Sequence, residues 1–458
     1  MKSIAAMMMA VICLLACNNK LTIQNKNKAV MNFKKAEWIN TTNVYEVNLR
    51  QYTKEGTFNA FAKSLPRLKA MGVETIWFMP ITPIAQKNKK GSLGSYYACS
   101  DYTSINPEFG NLADFKSLVK EAHAMGMKVI IDWVANHTGW DHVWTKTHPE
   151  YFEKDTVTND FKIASGMDDI IELDYTNPDL RKAMIDAMEY WVRECDIDGY
   201  RCDLAFWVEL DFWLEARAAV EKVKTIFWLA ENDGIDNPQY YQAFDACYTW
   251  KWMHETEAFY KKHKDLSKLD SLLHQYDTVA SKSDAMKLWF TTNHDENSWN
   301  GTEYEKYGLA AKALAVFSFT WDGIPLIYTG QELPNNKRLQ FFEKDTIEWN
   351  GQFALNDFYR TLTALRKRNP ALRAGDEKVT TIKLQLAAGS NVLAYLRKNG
   401  KHEVAVILNL SADNLNIAVE GNEWLKGSFK NVFDGQIVDF NTAHSLALQP
   451  WGYLVLEK

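Results

Sequence analysis

The sequence predicts an α/β fold, a (β/α)8 TIM barrel with a short inserted domain after its third strand and a C-terminal all-β sandwich domain. Three observations predict it. Between Trp38 and about residue 370, short β-rich runs alternate with amphipathic helical runs, giving about eight strand–helix units, the number that closes such a barrel. Ionisable residues follow the apolar runs directly, at the strand ends where barrel sites sit. Beyond residue 370 the helical pattern stops, and Asn399-Gly400 stands as a hairpin signal between two β-rich runs. A doubly wound open sheet is the structural alternative, but no G-x-G-x-x-G follows the first strand.

In chain order, Met1-Lys-Ser leads into the apolar run Ile4–Ala16, which is too short to span a bilayer. The run closes with Leu14-Leu-Ala-Cys17. Residues 1–17 therefore read as a lipoprotein-type signal peptide with Cys17 as the lipidated first residue, and a plain secretory signal cleaved near Ala16 is the other reading. Either reading makes the protein exported, to the periplasm or the cell surface, with a lipid anchor to the membrane in the first case. Residues 18–37 are polar and rich in Asn and Lys, as a tether would be.

Barrel strands are expected at 44–48, 75–79, 128–133, 199–203, 227–231, 244–248, 287–292 and 324–328. Helices are expected at 58–71, 112–125, 178–194, 305–319 and 353–368. The barrel thus occupies 38–139 and 176–370. Residues 140–175, rich in Asp, Thr and His and without clear periodicity, form the inserted domain over the barrel mouth. Residues 371–458 form the β domain, with strands at 392–398, 401–410 and 452–456.

Composition narrows the function. A chain of 458 residues exceeds what one core supports, so more than one domain is expected. The formal charge of −6 argues against nucleic acid or an anionic membrane surface as the main partner. There are 17 Trp, 20 Tyr and 23 Phe; core packing absorbs many, and Trp is also a platform for the apolar faces of sugars. The six Cys, at 13, 17, 99, 195, 202 and 247, form no C-x-x-C pair and no metal spacing, so free thiols are expected.

The chemistry centres on Asp198-Gly-Tyr-Arg-Cys-Asp203. Residues i and i+2 of a strand share a face, so Arg201 and Asp203 point the same way. A guanidinium beside a carboxylate keeps it ionised, as a carboxylate nucleophile requires. Alone, this hexapeptide reads equally well as a structural ion pair. Three other strand ends point to the same rim: Asp132-Trp-Val-Ala-Asn-His137, Glu231-Asn-Asp233 and Asn293-His-Asp295. Several carboxylates, two His and an Arg, each after an apolar run, mark an active site rather than solvated surface.

In order and content these segments resemble the four signatures of the α-amylase family (family 13 glycoside hydrolases). Leu173-Asp-Tyr-Thr-Asn-Pro178, Gly91–Gly110 and Gly323–Glu332 resemble further stretches of that family. The resemblance implies hydrolysis of α-1,4-glucosidic bonds in starch-type glucans or maltooligosaccharides, with retention, through two carboxylates about 5–5.5 Å apart. It implies Asp203 as nucleophile and Glu231 as general acid/base, its apolar flank Phe227-Trp-Leu-Ala keeping its pKa raised. It implies Asp295 as a third carboxylate that binds sugar hydroxyls more tightly in the transition state. His137 and His294 would donate hydrogen bonds to the sugar and Tyr97 would stack beneath it. Arg201 would hold Asp203 charged, with Asp132 bracing Arg201.

The sequence also departs from the family. Phe206-Trp207 stand where many α-amylases have Lys-His, the Lys commonly contacting a leaving-side sugar and the His commonly offering its carbonyl to calcium. Asn136 matches the family's calcium-binding Asn, and Asp160, Asp168 and Asp169 are the oxygen ligands such an ion would want. Calcium and plain loop acids stand as equal readings there. Trp140, Trp144, Trp207 and Trp299 lie near the rim as sugar platforms or as packing, and Cys99 and Cys202 read as packing. A 4-α-glucanotransferase or cyclomaltodextrinase on the same fold is the alternative activity. A non-catalytic glucan-binding protein is disfavoured by the intact Asp203, Glu231 and Asp295.

Overall fold

A computed structural model describes residues 33–458 apart from 263–264, 281–284 and 387–390. The signal segment with Cys17, and the tether as far as residue 32, lie outside the described residues. In chain order, β1 (Val44–Val47), β2 (Thr75–Phe78) and β3 (Lys128–Trp133) are followed by a hairpin of the insert, β4 (His137–Gly139) and β5 (Ile170–Glu172). Then come β6 (Gly199–Cys202), β7 (Phe227–Asp233), β8 (Ala246–Tyr248), β9 (Met286–Trp289) and β10 (Ile324–Tyr328). The parallel barrel closes in the order β1-β10-β9-β8-β7-β6-β3-β2, so every expected barrel strand is present. Strands enclosed by helices outside and by each other's side chains inside are buried on both faces, which explains their near-continuous apolar sequence.

Two expected helices are divided. The run 58–71 forms Phe58–Ala62 and Leu65–Met71, because Pro66 has no N–H to donate and its ring would crowd the carbonyl of Ala62. The run 305–319 divides at Gly308, at φ +46°, into Glu303–Tyr307 and Ala311–Thr320. Others are fixed by local chemistry. Asn111 and Asp114 form a reciprocal capping box on Leu112–Ala124, and Asn177 caps Pro178–Cys195, whose first residue suits proline.

The C-terminal domain contains β11 (Thr380–Lys383), β12 (Val392–Asn399), β13 (His402–Asn409), β14 (Leu415–Ala418), β15 (Ser428–Asn431), β16 (Ile437–Asp439), β17 (Ser445–Leu448) and β18 (Tyr453–Glu457). Its main sheet runs β11-β12-β13-β18-β15-β16, and the pair β14–β17 contributes Ile417 and Leu448 to a core shared with Leu396, Ile407 and Leu456. Gly400 takes φ +59° at the Asn399-Gly400 hairpin. Arg397, buried in this sheet, donates to Ala371 O at 3.1 Å and pairs with Asp322 at 3.3 Å, fastening the domain to the barrel. Cys99, Cys195, Cys202 and Cys247 are free and buried. No helix among the described residues is long and apolar enough to cross a membrane.

Candidate active site

The ionisable strand ends meet at the C-terminal mouth of the barrel. Asp132 lies in β3, Asp203 directly follows β6, Glu231 lies in β7, and His294-Asp295 follow β9. The register pairs Asp132 with Arg201 and Cys202 with Ala230, so one further residue brings Asp203 beside Glu231. Arg201 is fully buried at the centre. Its Nη1 donates to Asp132 Oδ1 and to Asp203 Oδ1, each at 3.0 Å, and its Nε donates to Tyr248 OH at 3.2 Å. Nη2 lies 2.8 Å from Glu231 Oε1 but off the N–H axis, an ion pair without a directed hydrogen bond. The rings of Trp77, Tyr97 and Tyr248 surround the guanidinium at 5.0, 5.9 and 5.7 Å.

Three buried carboxylates thus share one cation. Burial is the largest influence on each: it pushes Asp203 and Glu231 up to about 7 and Asp132 up to about 6, against the opposing pull of Arg201. The expectation that Arg201 holds Asp203 fully charged is corrected accordingly, because a divided guanidinium does not offset desolvation. Asp203 still has the better claim to the charge. It accepts an in-line, charge-assisted bond from Arg201, whereas the directed bond to Glu231 comes from the neutral backbone N–H of Leu204 at 2.9 Å.

The remaining predicted residues surround this core. Tyr97, His137, Asp203, Glu231 and Asp295 line one cleft of about 430 Å³, with Arg201 buried behind them. His137 is held down at about 4 by burial and is neutral; its Nε2, in the cleft lining, has no hydrogen-bond partner. Tyr97 OH bonds Asp132 Oδ2 at 3.2 Å and His294 Nε2 at 2.8 Å. Beyond Tyr97 the wall is aromatic: Phe341 stacks against Tyr97 at 6.2 Å, and Trp299, 54% exposed, meets Phe341 at 5.4 Å. Trp299 presents an exposed ring to the cleft. Trp140 is packed, its Nε1 donating to Asp168 O, and Trp144 is packed among Tyr102, His142 and Tyr151. Phe206 is exposed and Trp207 half-buried, edge to face at 6.0 Å. Burial pushes Cys99 up to about 12 and raises Cys202 as well, so both are inert packing.

The insert acids do not fit a calcium ion. Lys90 Nζ sits 3.2 Å from Asp168 Oδ1 and 2.8 Å from Asp169 Oδ1, filling the place between them with an ammonium. Asp160 Oδ1 instead accepts the N–H of Phe161. Among the described residues no group of three or more His, Cys, Asp or Glu is arranged to hold a metal. Four contributors to the site escaped sequence reasoning: Glu46, Lys90, Tyr248 and Phe341. Only Glu46 left a signal, a lone acid inside the buried strand Val44-Tyr-Glu-Val47.

The α-amylase catalytic-domain model matches residues 27–166 and 150–375, and the maltogenic amylase C-terminal domain model matches 384–455. The chain belongs to the α-amylase family of glycoside hydrolases. Among solved structures of this family, a maltogenic α-amylase from Thermotoga neapolitana is 31% identical with a TM-score of 0.82, over 92% of this chain and 99% of that one. An α-amylase from Lactobacillus plantarum is 30% identical with a TM-score of 0.80, over the same shares. Among family members known by sequence, a Bacillus cyclomaltodextrinase is 25% identical over 77% of this chain, which spans 65% of that protein's length.

Proposed function

We propose that the protein is a retaining hydrolase of α-1,4-glucosidic bonds in maltooligosaccharides or starch-type glucans. The observation that carries the reading is Asp203 and Glu231 held against one buried guanidinium, with Asp295 in the same cleft. Asp203 attacks the anomeric carbon while protonated Glu231 gives its proton to the departing glycosidic oxygen, leaving a glycosyl ester on Asp203. Glu231, now a carboxylate, takes a proton from water as that water attacks the anomeric carbon, and Asp203 is released. Burial supports this division, because a carboxyl raised to about 7 is still partly protonated near neutrality. Tyr97 supplies the floor beneath the reacting sugar, His137 a hydrogen bond through its unpaired Nε2, and Asp295 contacts that strengthen as positive charge develops; His294, its Nδ1 on Glu46, reaches the sugar only by sharing the Nε2 hydrogen that faces Tyr97.

The names of relatives, among them cyclomaltodextrinase, neopullulanase and maltogenic amylase, favour short or cyclic maltooligosaccharides as substrates. Phe206, exposed two residues beyond the cleft residue Leu204, favours a second reading. An apolar surface there would suit a sugar acceptor over water, as a 4-α-glucanotransferase requires. Product analysis on maltotriose, maltoheptaose and γ-cyclodextrin decides: shorter products alone mean hydrolysis, and products longer than the substrate mean transfer. Loss of activity in Asp203→Asn and Glu231→Gln tests the roles, and near-normal activity in either removes the assignment. We also propose export with a lipid anchor at Cys17, on the strength of Leu14-Leu-Ala-Cys17. Cys17→Ser should then move the protein out of the membrane fraction.

A further inference from the structure

His294 is buried where β1, the segment after β9 and the loop after β2 converge. Its Nδ1 lies 2.5 Å from Glu46 Oε1, and its Nε2 lies 2.8 Å from Tyr97 OH and 3.4 Å from Asp295 Oδ2. Glu46 is completely buried, and its second oxygen has no hydrogen-bond partner. Counting protons along this chain determines the state of the ring. Tyr97 has one hydroxyl proton, and ionised Asp132, 3.2 Å away, can only accept. With the hydroxyl directed there, Tyr97 presents a lone pair to His294, so Nε2 must carry a hydrogen. At the other end Glu46 Oε1 already accepts the backbone N–H of His294 at 3.3 Å and faces Nδ1 as an acceptor, so Nδ1 carries the other hydrogen.

We propose that Glu46 is a positioning residue that holds His294 as an imidazolium, fixing an N–H and a positive charge beside Asp295 at the edge of the sugar site. The carboxylate belongs to β1, directly across the barrel from the Glu231 strand β7, so this end of the site has its own charge pair, joined to the Arg201 cluster through Tyr97 and Asp132.

The charged groups facing the ring are Glu46 from β1, Asp295 from its own segment, Asp132 from β3 through Tyr97, and Arg201 from β6. Trp77 from β2 meets it edge-on at 6.0 Å, Phe341 from the loop after β10 at 6.2 Å, and neither carries charge. Burial alone would lower the ring, and Arg201 opposes its charge, but Asp295 and Glu46 outweigh both and raise it to about 9. His137 provides an internal comparison. It is as deeply buried on the same rim, has no carboxylate partner, and is held down at about 4. Without Glu46, a neutral His294 would accept the Tyr97 proton, leaving Asp132 without that donor and Asp295 beside an uncharged ring.

The kinetic consequence rests on the hydrolase reading above; the proton placement does not. The experiment follows His294 by 15N NMR in the full-length protein, assigned through loss of its signal in His294→Asn, together with kcat/KM on maltoheptaose against pH. In the wild type the imidazolium signal should persist to about pH 9, well above the alkaline limb of kcat/KM that loss of the Glu231 proton sets near 7. In Glu46→Gln the ring should titrate about 1–2 pH units lower, and the loss in kcat/KM relative to the wild type should be smallest near pH 5 and grow as the ring discharges. Glu46→Asp, which keeps the charge, should keep the ring charged to nearly the wild-type pH and show no such growing loss. A wild-type ring that titrates below about pH 7, or a Glu46→Gln profile lowered equally at every pH, overturns the proposal. Should Glu46→Gln fail to fold, the wild-type titration and Glu46→Asp still decide it. A wild type inactive on maltoheptaose would remove the hydrolase reading, and the titration alone would then decide whether Glu46 holds the ring charged.

Discussion

Replacing Asp203 by Asn should abolish hydrolysis and, above neutrality, stabilise the fold. Asp203 is 6% exposed and shares Arg201 with Asp132 and Glu231. Burial raises its carboxyl from the ordinary 3.8 to about 7. Between those values the folded chain keeps a proton that the unfolded chain has released, so this group's contribution falls as pH rises and its full cost is present above about 7. At 1.36 kcal/mol per pH unit an isolated group would cost on the order of 4 kcal/mol, and sharing protons with Glu231 reduces this to about 3 kcal/mol. Asn keeps an Oδ1 acceptor for Arg201 and carries no charge, so that cost disappears. With 458 residues and about 2.1 cal/mol/K of unfolding entropy per residue, about 1 kcal/mol shifts Tm by about 1 °C. Asp203→Asn should therefore melt about 3 °C above the wild type at pH 8 and within about 1 °C of it at pH 4. Calorimetry at one fixed scan rate, alongside maltoheptaose hydrolysis, makes the measurement. A variant that melts below the wild type at pH 8, or a difference independent of pH, would refute the account of these carboxylates as buried at a cost.

Three further predictions concern the surroundings of the site. A chelator should leave the wild-type Tm and activity unchanged, because Lys90 occupies the place between Asp168 and Asp169; Lys90→Met should lower Tm by about 1–2 °C and raise KM more than it lowers kcat. A drop in wild-type Tm on chelation would count against that tether. Trp299→Ala should raise KM for maltoheptaose roughly tenfold with a smaller change in kcat, read from steady-state kinetics, since an exposed stacking face is lost far from the bond cleaved. Gly199→Ala should cost about 3 kcal/mol or prevent soluble expression, because its Cβ would lie 2.3 Å from Phe227 O and 2.9 Å from Ile130 Cγ2. A soluble Ala variant with an unshifted melting curve would show that β6 and β7 can part more easily than their close approach indicates.

Much of this was legible because barrel chemistry is written at strand ends. Each run such as Lys128–Trp133 or Phe227–Ala230 is apolar because both faces are covered, so a polar residue immediately after it has few roles besides the site. Within Asp198–Asp203 the two acids look alike in sequence, yet they sit at opposite ends of β6. Asp198 accepts from Val129 N and pairs with His123 at 2.6 Å, held down to about 2 by those contacts despite burial, and belongs to the scaffold. Asp203 opens the site. Local patterning also misled: the periodicity of 58–71 continues through Pro66, and its missing donor and the bulk of its ring divide the helix.

The sequence by itself determined the barrel, the sheet domain and the gathering of carboxylates at strand ends, because burial periodicity and strand-end polarity are local properties of the chain. Only the tertiary structure decided how charge is shared among them. Glu46 and His294 are 248 residues apart, Arg201 and Asp132 are 69 apart, and the Lys90 ammonium meets Asp169 across the cleft wall. Electrostatic energies depend on distance and on exclusion of water, and neither exists until the barrel has closed.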